Sequence, residues 1–360
     1  MTVAEAPVRD AGTWGRFSAA ELEQIAVELD AIGDAARADL GAPDARYIRR
    51  VIAAQRAFEV AGRGLLLFSR KRSAQVGGTV ALTLSKVLSN MEIGHNVMHG
   101  QYDWMNDPEI HSSTWEWDAV STAASWKHSH NFQHHQYTNV VGKDRDLGYS
   151  AMRVDPDQPW HPIYLLQPFY GVLMALTFEW GIAIYDMELD AVRNGRKTKE
   201  RARQEMKAFL RKAARQVAKD GLVYPALSGR AWKRTLAANL AANVARNVWV
   251  HTIVFMGHLP EEAETFVEEQ LEDEEPGAWY VRQMAGSCNI EGTRLFQILN
   301  GHLGYQIEHH LYPDVPSSRY PELAPAVRAV CRRHGLPYNS GRLGCQYRSV
   351  AKKILRLSFP

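Results

Sequence analysis

Three short segments of the chain concentrate histidine, the side chain that offers a neutral ring nitrogen to a transition metal near pH 7. The segments read GHNVMH, HNFQHH and QIEHH, and their histidines are His95, His99, His130, His134, His135, His309 and His310. A single histidine is usually structural, whereas three clusters of two or three are hard to explain by packing. The pattern therefore predicts a metal centre with nitrogen ligands.

The spacing of these histidines indicates two metal ions. His95 and His99 are four residues apart, so on a helix both project from one face and can bind one metal. His130 and His134 repeat this spacing. His135 is rotated by about 100° from His134 on an α-helix, so it serves a second metal or another vertex more easily. Imidazole suits iron, zinc, copper and nickel, and we favour two irons because such clusters serve oxygen activation better than hydrolysis.

Other kinds of metal site fit the sequence less well. The H-E-x-x-H motif of hydrolytic zinc helices is absent. Soluble ferritin-like di-iron proteins need two Glu-x-x-His motifs, and only Glu92-x-x-His95 is found. The three cysteines form no C-x-x-C pair, which argues against a thiolate zinc site and favours a reducing compartment.

Helical periodicity dominates the segments around the histidines. Ser18-x-x-Glu21 is a capping-box pattern, and an apolar stripe at helical spacing follows it. A second amphipathic helix, at about 45–69, leads into the histidine-bearing stretch 76–99. No strand-type alternation persists, so the predicted fold class is all-α.

Hydropathy leaves open whether the chain spans a membrane. The mean hydropathy is −0.33, and the best apolar stretches, 162–185, 233–257 and 76–98, each contain charged residues. The formal charge of +2 does not point to nucleic acid. The run 191–219 is strongly basic, which places it in the cytoplasm if its neighbours span.

The three segments resemble the histidine boxes of the membrane fatty acid desaturases. Those patterns are H-x(3–4)-H, H-x(2–3)-H-H and H/Q-x-x-H-H, and the similarity runs over roughly residues 75–350. Gln306, at the first position of the third box, resembles the front-end (delta-6-like) branch; a bacterial acyl-CoA desaturase branch is the alternative.

The resemblance implies a four-span transmembrane helical bundle whose cytoplasmic helical cap holds a di-iron site. The expected location is the inner cell membrane, with the active site facing the cytoplasm. The expected domains are N-terminal amphipathic helices at 1–70, the histidine-box domain at 71–350 and a tail at 351–360. The expected enzyme uses O2 and two electrons to introduce a cis double bond into a long acyl chain carried by CoA or a lipid.

The resemblance also implies roles for individual residues. The seven box histidines would be the catalytic iron ligands. His258 and His302 match histidines that recur in relatives and are further candidate metal ligands. Four other residues are expected near the metals: Gln306 in the third box, Asn289 through a water, and Asp144 and Asp146 as carboxylates that orient imidazoles.

Electrons would have to come from another protein. The chain has neither the haem-binding His-Pro-Gly-Gly of a fused cytochrome b5 domain nor a G-x-G-x-x-G nucleotide fingerprint. The expected donor is a ferredoxin or an NADPH-dependent reductase. Two alternatives stay open at this point: a fatty acyl or lipid hydroxylase on the same scaffold, and a non-catalytic metal-binding membrane protein.

Overall fold

The computed structural model describes residues 12–272 and 274–360 and is mainly helical, which confirms the predicted fold class. The α-helices, in chain order, are α1 (Ala19–Ala38), α2 (Ala42–Leu67), α3 (Arg72–Leu88), α4 (Asn96–Met98), α5 (Ala123–Trp126), α6 (Gln167–Leu176), α7 (Phe178–Tyr185), α8 (Leu189–Arg193), α9 (Lys199–Val217), α10 (Tyr224–Leu227), α11 (Trp232–His258), α12 (Pro276–Ala285), α13 (Arg294–Leu299), α14 (Gln306–Leu311), α15 (Tyr320–His334) and α16 (Leu343–Leu357).

Short π-helices and 3-10 helices interrupt or connect the α-helices. Three segments are π-helical: Ser89–His95, Lys127–His134 and Ala218–Val223. Short 3-10 helices lie at Thr13–Arg16, Asp103–Met105, Gly148–Ser150, Pro162–Leu166, Gly229–Ala231, Glu268–Leu271, Leu303–Tyr305 and Ser317–Arg319. Two strands, β1 (Asn289–Glu291) and β2 (Ser340–Arg342), form one parallel pair. Three-residue strands are too short to produce the alternation on which a sequence-based prediction depends.

The capping box predicted for the first helix is present. The Ser18 hydroxyl accepts a hydrogen bond from the Glu21 amide, and the Glu21 carboxylate accepts one from the Ser18 amide. Leu22, Ile25 and Leu29 form the buried stripe of α1. This stripe packs with residues of α12, α14 and α15 in a shared apolar core. The resulting cap positions the third histidine box, because that box lies on α14.

Two long helical hairpins carry the first box and His258, and the second box begins on the segment Lys127–His134 between them in the chain. Helices α2 and α3 are joined at residues 68–71, and the helical run α9–α10 is joined to α11 at 228–231. The two connections lie side by side, because the hydroxyls of Ser69 and Thr235 are 2.9 Å apart. From this hairpin end, α3 runs through a π-helical segment to His95, and α11 runs to His258. Both hairpins therefore deliver histidines to the opposite end.

The two hairpins pack into one bundle, which we call the hairpin bundle. Charged side chains lie in its interior, unlike in the core of a water-soluble protein. Arg63 and Lys86 are buried and both donate to the carboxylate of Asp220, at 2.7 Å and 3.0 Å. Arg246 and Glu179 form another buried ion pair. Within 57–68, 74–88, 216–227 and 236–248, the exposed positions are apolar and include Val60, Leu65, Val80, Leu222, Leu240, Val244 and Val248.

Among the described residues, no single α-helix meets the combined length and apolarity expected of a membrane span. The helical pair Pro162–Leu176 and Phe178–Arg193 meets the criterion only when taken together, and it is bent by 98°. The stretch 162–185 predicted from hydropathy thus folds as two helices rather than one. The domain boundary predicted at residue 70 falls in the loop between α2 and α3 and stays a prediction. Residues 1–11 of the predicted first domain lie outside the described residues.

We predict that Gly277→Ala destabilises the cap. A Cβ at this position would lie 2.0 Å from the carbonyl oxygen of Leu22, so α1 and α12 would have to separate. Such overpacking typically costs about 1–3 kcal/mol, and we expect a lower thermal unfolding midpoint. Gly64→Ala is the matched control, because nothing lies within 4 Å of a Cβ there. An unchanged midpoint for Gly277→Ala would contradict the close α1–α12 packing.

Candidate metal centre

The first two histidine boxes lie on π-helical segments rather than on ordinary α-helix. His95 ends the segment Ser89–His95, and His130 and His134 belong to the segment Lys127–His134. A π-helix pairs residues i and i+5 and is found mostly as short insertions at functional sites. Beyond His95 the backbone returns to α-helical pairing, since the amide of His99 donates to the carbonyl of His95, so these two histidines keep the predicted i,i+4 spacing.

One group of imidazoles combines residues from all three boxes. Ring nitrogens of His95, His99, His130 and His309 all lie within 4.8 Å of one another. The Nε2 atoms of His95 and His130 are 3.2 Å apart. The structure thus brings together residues that are more than 200 positions apart in the sequence. We call these four residues the first nitrogen group.

A second group lies beside the first. Ring nitrogens of His134, His258 and His310 also lie within 4.8 Å of one another, and all three residues are buried. The Nε2 atoms of His258 and His310 are 3.2 Å apart. Gln306 donates from its Nε2 to Nε2 of His258 at 2.8 Å. His258 is thus both the last residue of α11 and a member of what we call the second nitrogen group.

His135 lies between the two groups. Its ring centroid is 4.7 Å from that of His99, 4.8 Å from that of His309 and 4.4 Å from that of His310. His130 and His134 belong to different nitrogen groups, but their rings stack at 5.0 Å. Together with Asp146 they also form a third set whose ligand atoms lie within 4.8 Å of one another, so the expectation that these two histidines can share a metal stays a prediction.

The buried ring nitrogens fit a metal centre. Within residues 12–272 and 274–360, Nε2 of His99, Nε2 of His309 and both ring nitrogens of His135 have no hydrogen-bond partner. Leaving a buried polar atom unsatisfied costs about 1–3 kcal/mol, and a bound metal would remove that cost. The donors are all imidazoles, which suits iron, zinc, copper or nickel rather than magnesium or calcium.

Hydrogen bonds made by the Nδ1 atoms of His130 and His134 fix the orientation of these two rings. Nδ1 of His130 donates to Asp146 at 2.6 Å, and Nδ1 of His134 donates to Asp144 at 2.8 Å. Asp144 is itself held by the amides of Asn139 and Asp146. The structure therefore places both aspartates where the sequence predicted them. With Nδ1 protonated, Nε2 of each ring is free to bind a metal.

Burial and charge set the protonation of the site. Burial and the neighbouring imidazoles lower the pKa of His99, His130, His309 and His310 well below the usual value, so these rings are neutral ligands. Burial also lowers the pKa of His134, but the carboxylate of Asp144 more than offsets this, and the pKa is raised overall. A metal at His134 therefore competes with a proton, which weakens metal binding at acidic pH.

Two predicted residues lie outside both nitrogen groups. Nδ1 of His302 is 3.0 Å from the buried carboxylate of Glu92. Asn289 donates from Nδ2 to Glu308 and to the Tyr338 hydroxyl, both at 2.9 Å. Their assignment to the metals stays a prediction.

Sequence reasoning missed Gln283, whose side chain contacts His310 of the second nitrogen group. Its Oε1 accepts from Nδ1 of His310 at 2.9 Å, and its Nε2 donates to the carbonyl of His135. Gln283 lies on α12 and belongs to no motif, so no local pattern could have revealed it.

An apolar chamber adjoins both nitrogen groups. His95, His130, His134 and His258 form part of its wall, and the apolar lining is Met91, Trp117, Trp126, Tyr149, Phe178, Ile182, Val250, Val254 and Leu303. A second, smaller space shares Trp117, Phe178 and Val250 with it and is also lined by the Arg246–Glu179 pair. The two spaces thus place apolar side chains directly beside the imidazole nitrogens.

Comparison with known proteins agrees with this geometry. The family model described as fatty acid desaturase matches residues 73–342. An NADPH-dependent stearoyl-CoA 9-desaturase of Mycobacterium tuberculosis is 45% identical over 357 residues, covering 98% of this chain and 84% of the relative. An sn-1 linoleoyl-lipid 6-desaturase of Synechocystis is 26% identical, over 72% of this chain and 74% of the relative. A Delta(5) fatty acid desaturase A of Dictyostelium discoideum is 28% identical, over 67% and 56%.

We predict that Asp144→Asn weakens metal binding about 10- to 100-fold, the usual effect of losing a carboxylate that orients a ligand imidazole. The measurement is metal retention during titration with a chelator, at constant pH. Asp34→Asn is the control, because its side chain is 76% exposed and lies far from the histidines in the sequence. Equal retention by the two variants would show that Asp144 does not support a ligand.

Proposed function

Because the chain belongs to the fatty acid desaturase family and desaturates fatty acyl chains, we propose that it does so at two irons held by the two nitrogen groups, with O2 as co-substrate. The observation that carries the proposal is the convergence of imidazole nitrogens from all three boxes, several of them without a partner, next to an apolar chamber whose wall includes His95, His130, His134 and His258. Irons bound there would supply, with O2 and two electrons, the strong oxidant that removal of hydrogen from an unactivated chain requires.

The residues of the chain supply orientation and exclude water. Asp144 and Asp146 hold the protons on Nδ1 of His134 and His130, so that Nε2 of both rings is presented to a metal. The Oε1 atom of Gln283 likewise accepts a hydrogen bond from Nδ1 of His310, so that Nε2 of this ring can face a metal. Trp126 packs against His130 with stacked rings at 4.4 Å, which shields that ring from solvent. A dry, preorganised site protects a reactive oxidant from side reactions.

The acyl substrate would lie in the chamber beside these rings. The side chains of Trp117, Phe178 and Val250 in its lining offer apolar contacts to a saturated chain. We infer a long-chain acyl-CoA as substrate and C9 as the site of desaturation, since the mycobacterial relative is named a stearoyl-CoA 9-desaturase. The name of that relative also supports an NADPH-dependent reductase as electron donor.

We further propose that the hairpin bundle is embedded in the inner cell membrane. Within 57–68, 74–88, 216–227 and 236–248, the ion pairs face inward and the exposed side chains are apolar, the distribution expected where lipid replaces water. The basic run 191–219 begins next to the second box, where Glu188 accepts from Gln133. That run contains eleven Lys and Arg residues, which supports a cytoplasmic position for the metal-binding end.

We predict that His310→Ala loses iron and activity together, because one nitrogen of the second group is removed. His334→Ala is the control: it lies on the surface of α15 and pairs with Glu28. Both variants are expressed in a host of known lipid composition, and iron content and fatty acid products are measured. We expect products two mass units lighter than the substrate for wild type and His334→Ala.

Three results would contradict this prediction. If His310→Ala still desaturated its substrate, His310 would not be a required metal ligand. A product sixteen mass units heavier than the substrate would identify a hydroxylase. Iron binding without any O2-dependent product would identify a metal-binding protein without catalysis.

We predict that an acidic electron carrier docks on α9. Arg203, Lys207, Arg211 and Arg215 repeat at four-residue spacing, are exposed, and form no ion pair within the described part of the chain. Residues at this spacing share one helix face. Changing all four to Gln is expected to slow single-turnover reduction about tenfold or more at low salt, with a smaller effect at high salt.

The control for this variant removes four exposed cations elsewhere, Arg46, Arg50, Arg332 and Arg348. Equal reduction rates for the α9 variant and this control would exclude α9 as the docking surface.

A further inference from the structure

The hairpin end, opposite the histidines, carries a cluster of exposed cations. Three belong to the α2–α3 connection and the start of α3, and three to the α10–α11 connection and the start of α11. They are Arg70, Lys71, Arg72, Arg230, Lys233 and Arg234. We call them the basic hairpin end. Arg234 donates from Nη1 to the carbonyls of Ser69 and Arg70, which ties the two connections into one surface.

Within residues 12–272 and 274–360, no acidic side chain pairs with these cations. The sequence contains no Asp or Glu in 60–91 or in 221–260. Within the residues that the structure describes, none of the six forms an ion pair; the ion pairs of the bundle use the buried Arg63, Lys86 and Arg246 instead. Like charges gathered on a surface repel one another, so the cluster favours an external anionic partner.

The backbone adds to the positive potential. Helices α3 and α11 both begin at this end, at Arg72 and Trp232, and have 17 and 27 residues. The N-terminus of a helix carries a partial positive charge and unpaired amides, an arrangement suited to phosphate.

The surroundings identify the kind of anion. Phe68 and Trp232 flank the cations and are 66% and 45% exposed. Below them, the outer faces of the bundle are apolar at Val76, Val80 and Leu227. Aromatic rings beside cations, above an apolar wall, are the arrangement found at the boundary between hydrocarbon and headgroups. An acidic protein would leave this wall exposed to water, whereas a lipid would cover it.

We propose that the basic hairpin end binds the phosphate headgroups of anionic phospholipids, in the leaflet farther from the metal centre. This rests on the membrane location proposed above and adds a specific lipid contact to it. The contact would anchor the closed ends of both hairpins and so support the helices whose other ends carry the metal ligands.

The test is a native mass spectrometry titration of the purified full-length chain with phosphatidylglycerol and, separately, with phosphatidylcholine. The variant changes Arg70, Lys71, Arg230 and Lys233 to Gln and keeps Arg234, which ties the hairpins together. Each cation near an anionic lipid surface contributes roughly fivefold to binding. We therefore expect the variant to lose at least about tenfold in affinity for phosphatidylglycerol, with no change for phosphatidylcholine.

The matched control is the four-cation variant at Arg46, Arg50, Arg332 and Arg348, which should bind phosphatidylglycerol like wild type. Equal loss in both variants, or no preference of the wild type for phosphatidylglycerol, would overturn the proposal. So would binding of polyglutamate in place of phosphatidylglycerol, since that would indicate an acidic protein as partner. Desaturation of an acyl-CoA in detergent is assayed in parallel. An inactive wild type that still selects phosphatidylglycerol would refute the proposed function and leave the lipid contact standing.

Discussion

The structure depends on one constraint: imidazole nitrogens from distant parts of the chain are packed together where water does not reach them. Both ring nitrogens of His135 and the Nε2 atoms of His99 and His309 have no hydrogen-bond partner among the described residues. A cluster of this kind is unfavourable unless the nitrogens bind something. A metal bound there would therefore help to stabilise the fold.

Each structural layer contributes to this arrangement. The hairpins deliver His95 and His258 at the ends of long helices, and the cap delivers His309 and His310 on α14. Because the groups combine residues of both layers, neither can shift without moving metal ligands. The buried carboxylates of Asp144 and Asp146 add a second constraint, since they fix the rotation of the rings that face the metals.

The sequence predicted the parts of the site that local chemistry determines. Clustered histidines indicated the metal, and the aspartates lie behind His130 and His134 as expected. The π-helical winding at His95, His130 and His134 was not predictable, because an extra residue in a turn leaves no mark in the periodicity of short segments. Gln283 was missed because its contact with His310 exists only after α12 packs on α14. Hydropathy left the bundle undecided, because its helices contain charged residues such as Arg63 and Arg246 that are paired inside it.

The most direct measurement is the iron content of the purified chain, combined with X-ray absorption at the iron edge. Two bound irons per chain, each with mainly nitrogen neighbours and each with the other iron in its surroundings, is the result that the two nitrogen groups predict. A single iron per chain, or irons with mainly sulfur or oxygen neighbours, would contradict the assignment of these histidines as a shared binuclear site.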